Sequence, residues 1–145
     1  MITNKSKGFT IIELLVVIAI IAVLAAIVFA NVFSAIAKGK NAAIKANLST
    51  LGVNSAVFYD TYNTYVGFAA AGCVVTGSDP TFVAPRDAIV AAGGTIQCPA
   101  STASSFCARS TLNGGGDYCV DSTGFKGAPT ASTNCATGGT SYVCQ

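Results

Sequence analysis

Residues 8–29 read GFTIIELLVVIAIIAVLAAIVF, and the architecture of the whole chain depends on that stretch. After Glu13 no charged residue occurs until Lys38, and from Leu14 to Ala37 only Asn31 and Ser34 interrupt the apolar run. As a helix this segment would measure roughly 36 Å, enough to cross a bilayer whose hydrocarbon core is about 30 Å thick. A secretory signal peptide is the competing reading, because Lys5 and Lys7 supply a basic flank and "FSA" passes for a small-residue cleavage site. A signal peptide needs an apolar stretch of only about 7–15 residues, however, and has no use for Glu13.

The apolar period continues beyond the membrane-length run. Ile36, Ile44, Leu48, Leu51 and Phe58 recur at helical spacing, with Lys38, Lys40, Lys45 and Asn47 between them as a solvated face. One helix over 9–59 is therefore expected, apolar all round in its first half and one-sided in its second. Gly39 and Gly52 weaken it by about 1 kcal/mol each relative to Ala.

The remainder, 60–145, is short for a self-supporting core and contains all six cysteines: Cys73, Cys98, Cys107, Cys119, Cys135 and Cys144. An even count confined to one region reads as a disulfide framework in an oxidising compartment, with the pairing left open. That places 60–145 outside the cytoplasm and the basic leader inside it, although the lysines on the two sides of the apolar run balance. "YDTYNTYVGF" (59–68) reads as an aromatic loop packed on the helix end, and "GCVVTGSDP" (72–80) as a short strand or loop. "PRDAIVAAGG" (85–94) reads as a short helix with Asp87 in its first turn and Gly93 as its stop. Two alternating segments around "NGGG" (113–116) mark a β-hairpin. The Gly-, Ser- and Thr-rich tail needs Cys135 and Cys144 to tie it down, and "TSYVC" (140–144) suggests an edge strand. The fold class is α+β: a long N-terminal helix packed on a small disulfide-stapled antiparallel sheet.

Charge and composition narrow the function. The net charge is +2. Beyond residue 45, Arg86, Arg109 and Lys126 face Asp60, Asp79, Asp87, Asp117 and Asp121, which leaves no broad basic footprint for nucleic acid. Histidine is absent, so His-dependent triads and most zinc hydrolase sites are excluded. No Cys-x-x-Cys pair points to zinc. Asp117 and Asp121 invite a calcium reading, but two carboxylates alternating along a strand suit its exposed face better. No metal, cofactor or catalytic constellation is assigned.

"KGFTIIELLVVIAIIAVLAAIVF" (7–29) resembles the N-terminus of the type IV pilin and pseudopilin family: a short basic leader (1–8) ending in Gly8, a new N-terminus at Phe9, a glutamate at the fifth mature position, and a long apolar helix. The resemblance implies cleavage after Gly8 by a membrane-embedded prepilin peptidase and N-methylation of Phe9. It implies a homo-oligomeric helical filament built by an inner-membrane assembly machine, with the subunit resident in the cytoplasmic membrane before assembly. A carboxylate in hydrocarbon costs about 2.5–3.5 kcal/mol, so Glu13 needs a compensating partner. In the family that partner is the terminal amine of a neighbouring subunit; the alternative is that Glu13 serves the free N–H groups and dipole of its own helix. Ala22, Ala26, Ala30 and Ser34 form a small-residue stripe suited to close helix packing, or are plain apolar filler. Many family members carry Gly and Pro where this chain has Ala22 and Ala30, so a straighter, less extensible helix is expected here. The function implied is a structural, non-enzymatic pilus subunit. The alternatives are a pseudopilin of a secretion or DNA-uptake machine, whose filament would be periplasmic, and a membrane-anchored binding module that never polymerises.

Overall fold

The computed structural model describes residues 8–131, 134–135 and 142–145, with the side chain of Ala30 excepted. Most of the expected leader, at 1–7, therefore lies outside the described residues. So does the start of the suggested edge strand at 140–141, while 142–145 form no strand. The elements are α1 (Ile11–Tyr62), a single 3-10 turn (Ala71–Cys73), α2 (Pro80–Ala91), β1 (Ile96–Gln97), β2 (Cys107–Thr111), β3 (Asp117–Asp121) and β4 (Lys126–Gly127). The chain divides into two compact units, Met1–Ile36 and Ala37–Gln145, with the division inside α1.

Within Ala37–Gln145, α1 buries one stripe. Ile44, Leu48, Leu51 and Ser55 are buried, spaced by four, three and four residues, whereas Lys38, Lys40 and Lys45 are exposed. Two expectations change here. Ile36 is 50% exposed and does not extend the core stripe, and Phe58 only partly joins the core. The helix also runs three residues past 59. It ends where Asn63 adopts left-handed backbone (φ 53°), a conformation Asn tolerates, and donates its N–H to Tyr59 O at 2.7 Å. The loop that follows plugs the core with Tyr65 and Phe68. The Phe68 ring meets Phe106 at 4.9 Å and Phe82 at 5.6 Å, both edge-on, the geometry that aromatic quadrupoles favour.

α2 begins earlier than "PRDAIVAAGG" suggested. Asp79 is its N-cap, accepting from Thr81 N at 2.8 Å, and Pro80 occupies the first turn, where a missing N–H costs nothing. Asp87 therefore lies mid-helix, and Pro85 is an interior proline, not a starting one. An interior proline leaves the carbonyl four residues back without its helical donor. That carbonyl belongs to Thr81, and Asn54 of α1 fills the gap by donating Nδ2 to it at 2.7 Å. The stop is where the sequence placed it: Gly93 follows the C-cap with φ 89°.

The four strands form an antiparallel meander in the order β1-β2-β3-β4. The β2–β3 hairpin turns through Gly114, Gly115 and Gly116, all at positive φ, which accounts for three consecutive glycines. Asn41 of α1 clamps this turn. It donates Nδ2 to Asn113 O at 2.9 Å and accepts from Asn113 N at 2.7 Å.

Register gives the sheet two different faces, because Cys107 pairs with Asp121 and Ala108 with Val120. Ala108, Tyr118 and Val120 face the main core with Ile44, Leu48 and Leu51. Cys107, Cys119 and Asp121 face the other way, into a second cluster with Cys135, Cys144 and Phe125. All six cysteines are paired: Cys73–Cys98, Cys107–Cys135 and Cys119–Cys144. The last two bridges attach the tail to β2 and to β3, one strand each. Loops of 25 to 28 residues cost the unfolded chain enough entropy that each bridge contributes about 3–4 kcal/mol in the chain-entropy view.

Candidate processing and assembly segment

Gly8, Phe9 and Thr10 precede α1 and are exposed, Phe9 by 77%. Among the described residues, chain neighbours aside, nothing stands within 4 Å of where a Cβ on Gly8 would be. Thr10 starts the helix. Its Oγ1 accepts from Glu13 N at 3.3 Å, and Glu13 Oε2 in return accepts from Thr10 N at 2.9 Å and from Thr10 Oγ1 at 2.8 Å. This is a reciprocal capping box. Its sequence signature, Thr-x-x-Glu before an apolar run, is present in "TIIE", and Thr10 is a partner that reading Glu13 alone misses. Both contacts to the carboxylate fall on Oε2. Oε1 has no partner among the described residues.

From Ile11 onward, α1 passes as a membrane-crossing helix by length and composition, with a mean hydropathy of 3.3 in its most apolar window and none of that window buried. Its one amide in the run, Asn31, donates Nδ2 to Ile27 O at 3.2 Å and so adds no unmet polar group. Ala22, Ala26 and Ser34 are exposed on this segment and four or eight residues apart, hence on related faces, while the side chain of Ala30 lies outside the described residues. Ile18, Ile21 and Val32 are exposed as well. The helix runs unbroken through positions 22 and 30.

The second unit holds the other candidate residues. Asp117 pairs with Arg109 at 3.7 Å. Asp121, expected on an exposed face, is instead buried. It accepts from Thr123 N (2.9 Å), Thr123 Oγ1 (2.6 Å) and Phe125 N (3.3 Å) through Oδ1, and from Cys144 N (2.8 Å) through Oδ2. The alternation argument failed because the tail folds over that face. With these four donors Asp121 acts as a structural acceptor. No group of three or more His, Cys, Asp or Glu side chains suited to a metal occurs among the described residues. Tyr65 has its phenol pushed above the usual range, first by burial and then by the neighbouring Tyr59, whose ring stacks 4.6 Å away.

The family described as "Prokaryotic N-terminal methylation motif" matches residues 3–29, and so spans Gly8, Phe9 and Glu13. The "Type IV major pilin protein PilA" of Myxococcus xanthus (strain DK1622) is 38% identical over 65 residues, a stretch that covers 45% of this chain and 30% of that relative. No solved structure matches. The chain thus carries the prokaryotic N-terminal methylation motif at the head of its apolar helix, and over 65 residues it is similar to a type IV major pilin.

Proposed function

We propose that this chain is a structural subunit of a type IV pilus or pilus-like extracellular filament, cut after Gly8, N-methylated on Phe9 and polymerised through its N-terminal helix. The observation that carries the reading is the combination of an unburied apolar helix with a half-satisfied carboxylate at its start. Such a helix is stable in lipid or against other apolar helices, not in water. Among the described residues, the Glu13 carboxylate is met only by Thr10, and only at Oε2. Cleavage after Gly8 creates an ammonium on Phe9. A neighbouring copy's ammonium at the open Oε1 would pair two poorly solvated charges and set the axial register of the polymer. Ala22, Ala26 and Ala30 would then allow close helix approach where apolar bulk gains nothing over lipid.

On this reading the subunit waits in the cytoplasmic membrane with its disulfide-bonded unit outside. Prepilin peptidase trims the leader, and an inner-membrane machine inserts the subunit into the filament. The test is N-terminal sequencing of material sheared from cells, together with Glu13→Gln. Filaments beginning at methylated Phe9, and their loss in Glu13→Gln at an unchanged membrane level of subunit, are expected. Fibres that still carry Met1, or that form equally well from Glu13→Gln, would refute the proposal.

A further inference from the structure

The Ala37–Gln145 unit settles most of its charges internally. Arg86 pairs with Asp87 at 2.7 Å, Arg109 pairs with Asp117, and Asp121 is buried beneath the tail. Lys45 lies over the Tyr118 ring at 5.6 Å. Among the described residues of this unit, the charged side chains that make no ion pair or ring contact and are not buried are Lys126 on β4, Lys38 and Lys40 where α1 enters the unit, and Asp60 and Asp79 near the end of α1.

The acidic end is suited to a cation. The last turn of α1 contains no basic residue, so the negative end of its dipole and the exposed Asp60 are not offset. Beside it lies an open cleft of about 200 Å³, walled by Val57, Phe58, Thr61 and Tyr62 of α1 and by Asp79 and Thr81 at the start of α2. Phe58 and Tyr62 are 4.6 Å apart, and Tyr62 is 62% exposed. Asp79 uses Oδ1 for its cap and leaves Oδ2 without a partner among the described residues. Aromatic faces beside a carboxylate form a receptor for an ammonium group.

Lys40 and Asp60 are separated by roughly 30 Å of helix, far beyond the reach of one lysine side chain. The two ends therefore cannot neutralise each other within a copy. They can meet between copies, and a contact joining different patches of identical subunits is heterologous, the kind that propagates as an open polymer. We propose that Lys38 and Lys40 of one copy dock on the acidic end of α1 in another, with one ammonium in the cleft between Tyr62 and Asp79. This inference rests on the filament reading and adds to it a contact between the outer units. Each exposed ion pair is weak and screened by salt, so the contact sets register and does not by itself hold the polymer.

The test is zero-length carbodiimide coupling of sheared filaments at low salt, followed by peptide mass spectrometry. Because Lys38 and Lys40 lie out of reach of Asp60 and Asp79 in one copy, a link between the two groups reports a contact between copies. Expected is a dimer ladder containing Lys38 or Lys40 joined to Asp60 or Asp79, suppressed at high salt. It should be lost in Lys38→Gln/Lys40→Gln and reduced in Asp60→Asn and Asp79→Asn, the latter retaining an oxygen to cap α2. Wild-type filaments that give no such link overturn the contact while leaving the filament reading intact, as does a ladder that persists in the lysine variant. Lysines coupled to other sites, or protected only by anionic lipid vesicles, overturn it too. Failure of the wild type to form filaments removes both.

Discussion

Asp121→Asn isolates the interaction that holds the tail on the second face of the sheet. The carboxylate divides its work between two oxygens: Oδ1 serves the Asp121–Phe125 turn, and Oδ2 serves Cys144 N at 2.8 Å. Asparagine retains one oxygen, and the three donors of the turn claim it. Its amide nitrogen then faces the N–H of Cys144, donor against donor. A charge-assisted bond of about 1.5–3 kcal/mol is lost, and a buried N–H is left unpaired. Relaxation is restricted, because Cys144 is fixed to Cys119 by a disulfide. The net cost should be about 2–4 kcal/mol.

The assay is urea unfolding of the oxidised full chain in detergent, paired with amide exchange at Cys144. At about 1.4 kcal/mol per tenfold, exchange at that amide should accelerate roughly 30-fold or more, while the amides of α2 change far less. The unfolding midpoint should fall with little change in slope. Asp121→Ala, which also abandons the turn donors, should cost more. If Asp121→Asn leaves the midpoint and the Cys144 amide as they are in the wild type, then the disulfides alone hold the tail and the carboxylate is incidental.

Two glycines give opposite expectations. At Gly52 an added Cβ would sit 3.7 Å from Lys126 Cε and 3.8 Å from Val120 Cβ, ordinary contacts, so Gly52→Ala should stabilise the helix by about 0.5–1 kcal/mol, read as a higher urea midpoint. At Gly94 the Cβ would meet Ser110 Oγ at 2.5 Å and Ile89 Cγ2 at 2.9 Å, so Gly94→Ala should lower the midpoint by about 1–3 kcal/mol through overpacking. Asn54→Ala deprives Thr81 O of the donor that replaces the missing Pro85 N–H; a loss of about 1 kcal/mol is expected, and it should largely vanish when Pro85 is replaced by Ala, which restores the helical donor. Tyr65 is held neutral in the fold with its pKa raised, so its contribution is fully present below the unfolded value of about 10 and is lost as pH rises through that value and then through the folded one. Unfolding midpoints should therefore fall above about pH 10, and Tyr65→Phe should flatten that alkaline limb.

How much of this was legible in the sequence depended on whether a signal was local. The α1 stripe, the hairpin at "NGGG" and the stop at Gly93 are written in period and turn chemistry, and the structure has all three. The start of α2 was also written, in "SDP", where an N-cap aspartate precedes a first-turn proline. Reading Pro85 as the starting proline obscured it, because a proline is assumed to begin a helix unless something elsewhere replaces its lost hydrogen bond. That something is Asn54, distant in sequence and chemically unremarkable on its own. The capping box at Thr10 was equally local and equally readable. The disulfide pairing was not, since cysteines in a row carry no order, nor were the two-residue strands β1 and β4, which have no period to detect.

The burial of Asp121 shows why the outer unit resists local reading. Alternation along β2 and β3 distinguishes two faces, and a strand with Cys, Arg, Cys and Asp on one of them looks solvent-facing by chemistry. What inverts that face is the tail, and the tail has little apolar content of its own with which to choose a place. Among the described residues, two cysteines and the Cys144 N–H to Asp121 tie it to the sheet. Covalent bridges and a buried carboxylate here do the work that a larger chain would leave to hydrophobic burial, and they do so on the face that α1 does not cover. The unit consequently needs α1 on one side and oxidation on the other. Reduction should release the tail and expose the second face, while the Ile44, Leu48 and Phe68 core on the opposite face loses its Cys73–Cys98 bridge but keeps its packing. Amide exchange on the reduced chain would show this as lost protection at Cys119 and Cys144 with protection retained at Leu48. A uniform loss across both faces would mean that the sheet cannot stand on the first core alone.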